Sequence, residues 1–93
     1  MSKEESIVQD LSKKFPYLEG NIKITRARRL FLELESARLE EVLEYALKNL
    51  GFMHLLSITG LDEQDNLSFI YHLAHDSGVV LNVKTSVSKS ALQ

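Results

Sequence analysis

The change of hydrophobic period at Gly51 constrains this chain more than any other feature in it. Before that glycine, Leu39, Val42, Leu43, Ala46, Leu47 and Leu50 recur at helical spacing; after it, apolar residues run together or alternate with a period of two. The spacing predicts a helix that stops at Gly51, where a residue free to take positive φ suits a helix end. Ser36 is expected to cap it, with Glu40 and Glu41 in its first turn near the positive end of the helix dipole. Three strands are expected beyond it. His54 to Leu61 is apolar and β-prone. Leu67, Phe69, Tyr71 and Leu73 then alternate with Ser68, Ile70, His72 and Ala74, and Val79, Leu81 and Val83 with Val80, Asn82 and Lys84. Asp62 to Asn66 reads as a polar loop, and Asp76-Ser77-Gly78 as a turn.

Earlier in the chain, Ile7, Val8, Leu11 and Phe15 form one helical stripe ended by Pro16, with Ser2 and Glu5 spaced as a capping box. Ile22 and Ile24, then Leu30, Leu32 and Leu34, predict two strands joined near Ala27 and Arg28. The order helix-strand-strand-helix-strand-strand-strand gives an α+β fold, a largely antiparallel sheet with helices on one face. At 93 residues it is a single domain, 1–93. The second helix, about 22 Å long, and strands of about 23 Å are expected to match in length.

Composition excludes several classes of function. The chain is 44% hydrophobic and 26% charged, as soluble globular domains are. A net charge of −2 argues against a general electrostatic grip on nucleic acid. The absence of cysteine removes disulfides, thiolate nucleophiles and Cys-ligated metals. No apolar run is long enough to span a bilayer, and Met1 to Gln9 lacks the apolar core of a signal peptide, so a cytoplasmic location is expected.

No residue set makes a recognisable catalytic, cofactor or metal site. His72 and His75 are spaced as a metal pair on a helix, but on a strand an odd separation sends them to opposite faces, with only His54 as a third imidazole. Glu40 and Glu44 share a helix face, one that is opposite the apolar stripe. Asp62, Glu63 and Asp65 fall in a segment too short for a calcium loop. No serine lies in a nucleophile-elbow context, and the four glycines form no phosphate-binding loop. Arg26, Arg28 and Arg29 at a strand junction could grip carboxylates or RNA, and acidic groups on a protein partner suit them at least as well. Phe31, Ile70 and Val80 lie opposite the core-facing sets of their strands, so the open face of the sheet is a candidate contact surface.

The stretch Leu47-Lys48-Asn49-Leu50-Gly51-Phe52, followed by Leu55-Leu56-Ser57-Ile58-Thr59-Gly60-Leu61-Asp62, resembles the C-subunit family of respiratory NADH:quinone oxidoreductase. That family includes the related subunit of energy-converting and carbon-monoxide-induced nickel-iron hydrogenases. Phe69-Ile70-Tyr71-His72-Leu73 and Val80-Leu81-Asn82-Val83-Lys84 follow in the family's order, and the similarity runs from Ile24 to Val87. The charged Glu-Arg-Glu and Gly-His-Pro elements of long members are absent, as expected of a minimal member or of the family's N-terminal domain. The resemblance implies a cofactor-free subunit without a catalytic site of its own. It would pack against a hydrogenase-like large subunit, with iron-sulfur subunits as further partners and the membrane reached only through the complex. A partner interface is then expected among Arg26, Arg28, Arg29, Phe31, Asp62, Ile70, Tyr71 and His72. For Thr59 to Asp62, strand termination and a tight turn are the simpler expectation. A small ligand-binding module that homodimerises, or an RNA-binding domain, are the alternatives.

Overall fold

A computed structural model describes residues 3–88 of the chain. Its order is α1 (Lys3–Lys14), a single 3-10 turn (Pro16–Leu18), β1 (Ile22–Arg26), β2 (Arg29–Glu33), α2 (Ser36–Asn49), β3 (Phe52–Glu63), β4 (Asn66–His75) and β5 (Val80–Ser88). This is the predicted α+β order, with the 3-10 turn added. The proposed capping box at Ser2 lies outside the described residues.

The five strands form one sheet in the order β1-β2-β5-β4-β3. Three of its pairings are antiparallel. The fourth joins β2 to β5 in parallel, with Leu30 beside Leu81 and Leu32 beside Val83. Period-two alternation then sorts the side chains. Leu30, Leu32, Leu73, Leu81 and Val83 are buried on the face that carries the helices, against Ile7 and Leu11 of α1 and Val42 and Ala46 of α2.

Two tyrosines clasp the helices. The Tyr45 hydroxyl donates to Asp10 Oδ1 at 2.6 Å, and Tyr17 donates to Glu41 Oε1 at 2.6 Å. Phe15 sits between their rings, edge-on to Tyr45 at 5.5 Å and tilted against Tyr17 at 5.8 Å. Arg38 lies over the Tyr17 ring at 4.6 Å, a cation–π contact that adds to the clasp.

Three expectations are corrected. Ser36 does not cap α2: Leu34 N–H is held in the sheet by Lys84 C=O at 3.0 Å, so Glu35 alone bridges strand and helix and occupies the cap position. Ser36 becomes the first helical residue, and Glu40 and Glu41 fall beyond the first turn. Neither does β3 end before Asp62. It pairs with β4 out to Glu63 and Asn66, leaving a two-residue turn instead of a polar loop, so Thr59 to Asp62 is mid-strand. Lengths do not match either. At 14 residues α2 covers about 21 Å, whereas the 12 residues of β3 reach about 40 Å. The far half of the β3–β4 hairpin therefore runs on past the helix.

Turn chemistry was legible. Gly51 has φ 80 just past α2, and Gly78 has φ 93 in the β4–β5 connection, where Gly78 N–H donates to His75 C=O at 3.0 Å. Arg28, between β1 and β2, has φ 64, an uncommon conformation for a side-chain-bearing residue. Its carbonyl accepts from Val80 N–H at 2.9 Å, which ties the turn to β5.

Candidate docking surface

His72 and His75 do project from opposite faces of β4. His75 is buried, edge-on to Phe52 at 5.3 Å, and its Nδ1 is 2.8 Å from Ser77 Oγ and from Asp76 Oδ1. His72 stands on the open face, within a hydrogen-bonded line that crosses four strands. Asn82 Nδ2 donates to Leu30 C=O at 3.0 Å, which turns Asn82 Oδ1 toward His72 Nδ1 at 2.6 Å; His72 Nε2 lies 2.9 Å from Thr59 Oγ1. A carbonyl can only accept, so the amide is fixed and Nδ1 must carry the proton. In the neutral ring Nε2 then accepts from the threonine.

The same face is hollowed. Arg26 and Arg29 from the β1–β2 hairpin, His72, Asn82, Ser57 and Leu56 line a depression of about 390 Å³. Three of the sequence candidates therefore meet, although two belong to the first strand pair and one to β4. Both arginines are exposed, and no ion pair among the described residues engages them or Arg28. Arg28 itself lies against the Gly78 turn. Phe31 and Ile70 share the open face but are partly buried, beside Lys23 and Lys84 respectively. Tyr71 and Asp62 belong to the helix-bearing face, where Tyr71 pairs with Ile58 and Asp62 with Leu67. The eight candidates thus divide between both faces.

The strongest exposed apolar surface is one the sequence did not mark. Met53 (61% exposed), Leu56 (58%) and Ile58 (50%), with Leu55 and Leu61, stand along β3, and Leu47 is exposed on α2. Its position accounts for this: β3 is the outermost strand of the sheet, and of its described apolar residues Phe52 alone is buried. Leu55 and Ile58 are on the helix-bearing face, beside Leu73 and Tyr71 of the next strand inward, which pack into or against the core. Next to them Leu39, Leu43 and Leu47 form a second apolar stripe on α2, offset from the buried Val42 and Ala46. With Tyr71 this stripe lines a groove of about 480 Å³ rimmed by Glu40 and Glu44. The two glutamates are on the water-facing side, as expected, but they border an apolar surface. A signal was available in the segment Phe52 to Leu56, apolar except for His54, which carries more apolar residues than one face of a half-buried strand can use.

A larger cleft of about 790 Å³ lies beside the tyrosine clasp, lined by Lys14, Phe15, Tyr17, Arg38, Glu41 and Tyr45. Its phenols are both committed to carboxylates. Burial, then the hydrogen bond to Glu41 and that residue's charge, push Tyr17 up to about 12 against the opposing pull of Arg38. Tyr45 is raised as well, first by its hydrogen bond to Asp10. These pairs fasten the helices together and keep both phenols protonated at neutral pH. Among the described residues no helix is long and apolar enough to cross a membrane.

The order of two helices and five strands is the one that the resemblance to the C-subunit family implies. The family model described as "Respiratory-chain NADH dehydrogenase, 30 Kd subunit" matches residues 32–93, and the chain belongs to that family. It is also 32% identical over 89 residues to the C-subunit of the F(420)H(2) dehydrogenase of Methanosarcina mazei. That alignment takes in 92% of this chain and 56% of the relative, so the chain spans little more than half of the length of the protein it matches.

Proposed function

We propose that this chain is a cofactor-free assembly subunit of a membrane-associated complex of the NADH:quinone oxidoreductase, F420H2 dehydrogenase or energy-converting hydrogenase type. It packs against the large catalytic-type subunit and, with the iron-sulfur subunits, holds the electron-transfer arm together on the cytoplasmic side. Electron and proton chemistry stays with cofactors on those partners. The observation that carries this reading is the apolar surface of β3 and of the Leu39, Leu43 and Leu47 stripe. Fully burying a Leu, Ile or Met side chain is worth about 1.5–3 kcal/mol, so covering these half-exposed residues favours association strongly. Arg26 and Arg29, which no ion pair engages among the described residues, suit acidic groups on the same partner and add orientation.

Isolation of the tagged protein from gently solubilised membranes of its native host tests the reading. The expected companions are a nickel-iron hydrogenase-like large subunit and iron-sulfur subunits, identified by mass spectrometry. Replacing Leu47 and Ile58 together by Asp should abolish their recovery while the isolated protein keeps its circular dichroism spectrum. Recovery of the wild type alone, as a homodimer, or with RNA would overturn the proposal.

A further inference from the structure

The two edges of the sheet are treated in opposite ways. β1 is five residues long, carries Lys23 and Arg26 and is interrupted by a bulge between Ile24 and Arg26. Short, cationic, bulged edges are how soluble proteins discourage strand pairing. β3 is 12 residues long, has no Lys, Arg or Pro, and exposes apolar side chains along its length. Its irregularities lie between Phe52 and His54 and between Leu55 and Ser57; from Ser57 to Glu63 the pairing with β4 is unbroken. This segment is a regular edge with no neighbour on its outer side among the described residues.

The register shows which backbone groups that edge presents. In a hairpin closed by a two-residue turn, the closing pair is hydrogen-bonded, and every second pair after it is too. Counting back from Glu63 and Asn66, the pairs Leu61–Ser68 and Thr59–Ile70 bond within the hairpin. The N–H and C=O of Gly60 and Ile58 therefore point away from β4. Gly60 suits close approach of another backbone, since a Cβ there would find nothing within 4 Å.

We infer that Ser57–Glu63 accepts an extended segment of another subunit as a sixth strand, bonded through the outward backbone groups of Ile58 and Gly60. This rests on the assembly reading above and specifies its mode. Main-chain pairing supplies the register, and the apolar side chains beside it, Ile58 on one face and Leu61 on the other, set the preference for an apolar strand. A second copy of this chain fits poorly. Two-fold antiparallel pairing about Gly60 would set Asp62 of each copy directly opposite Ile58 of the other, and Gly60 opposite Gly60 would add no side-chain contact.

Proline at position 60 separates this mode from side-chain docking, because it removes one outward N–H and leaves the bonds to β4 intact. The tagged full-length chain, Gly60→Ala and Gly60→Pro are isolated from native membranes as above, and each purified chain is checked by thermal unfolding. Gly60→Ala keeps the N–H and should recover the companion subunits as the wild type does. Gly60→Pro should fold but lose about tenfold or more in recovery. Hydrogen exchange supplies the second readout. The Gly60 and Ile58 amides should exchange freely in the isolated wild type and become protected in the complex, while those of Thr59 and Leu61 are protected in both. Undiminished recovery with Gly60→Pro, Gly60 amides that stay unprotected in the complex, or a self-associated wild type whose assembly Gly60→Pro abolishes would each overturn the inference. Failure of the wild type to bring down any companion would instead overturn the assembly reading itself.

Discussion

Gly51 and His75 meet where α2 turns into β3, so closely that a Cβ on Gly51 would lie 2.8 Å from Nε2 of the buried imidazole. The glycine thus answers two demands: a positive φ that ends the helix, and room for a ring held by Phe52 and Ser77. Gly51→Ala is predicted to cost about 1–2 kcal/mol in backbone strain and to displace the ring as well. Thermal unfolding of the four proteins in a Gly51→Ala and His75→Ala cycle checks this. The alanine should be less damaging once His75 is gone, and an equal cost in both backgrounds would remove the contact from the explanation.

The line from Leu30 through Asn82 and His72 to Thr59 makes a prediction about a single proton. Neutral His72 should carry its hydrogen on Nδ1, because Asn82 presents an oxygen to that atom. Nitrogen-15 NMR of the ring distinguishes the tautomers, and a proton found on Nε2 would refute the assignment. Asn82→Ala should release the ring and cost about 1–2 kcal/mol in urea unfolding, as the broken bonds leave partly buried polar groups unpaired.

Alkaline pH should loosen the clasp between the helices. The folded protein holds the Tyr17 phenol near 12, above its ordinary value of 10.0, so folding favours the neutral form. The associated stability is present in full below about pH 10 and drains away as the pH rises toward 12. Tyr17→Phe should cost about 1 kcal/mol at neutral pH and flatten the fall in stability above pH 10. A wild-type decline as shallow as that of the phenylalanine variant would show that Tyr17 is not the group responsible.

How much of this was legible follows from the range of each interaction. The ends of α2 and β4 could be read because Gly51 and Gly78 satisfy local backbone demands. The extent of β3 could not: Gly60 and Asp62 have low strand propensity, and ten residues of β4 pairing beside them override it. The bulges beside Met53 and Leu56 were hidden in a run with no alternation to break. Arg26, Arg28 and Arg29 stood out through proximity in sequence, but the meeting of Arg26 and Arg29 with His72 depends on β5 entering the sheet between the two hairpins. The exposed apolar strip was not legible because it follows from β3 being the outermost strand of the sheet, and strand order is a property that no single residue carries.

The parallel pairing of β2 with β5 has its own consequence for synthesis on the ribosome. Leu30 must wait for Leu81, and both halves of the sheet close on the strand that is made last among those described. Contacts so distant in sequence form slowly. Until Val80–Ser88 has emerged, the nascent protein is two hairpins with no strand between them, and the sticky edge of β3 is matched by an equally open flank on β4.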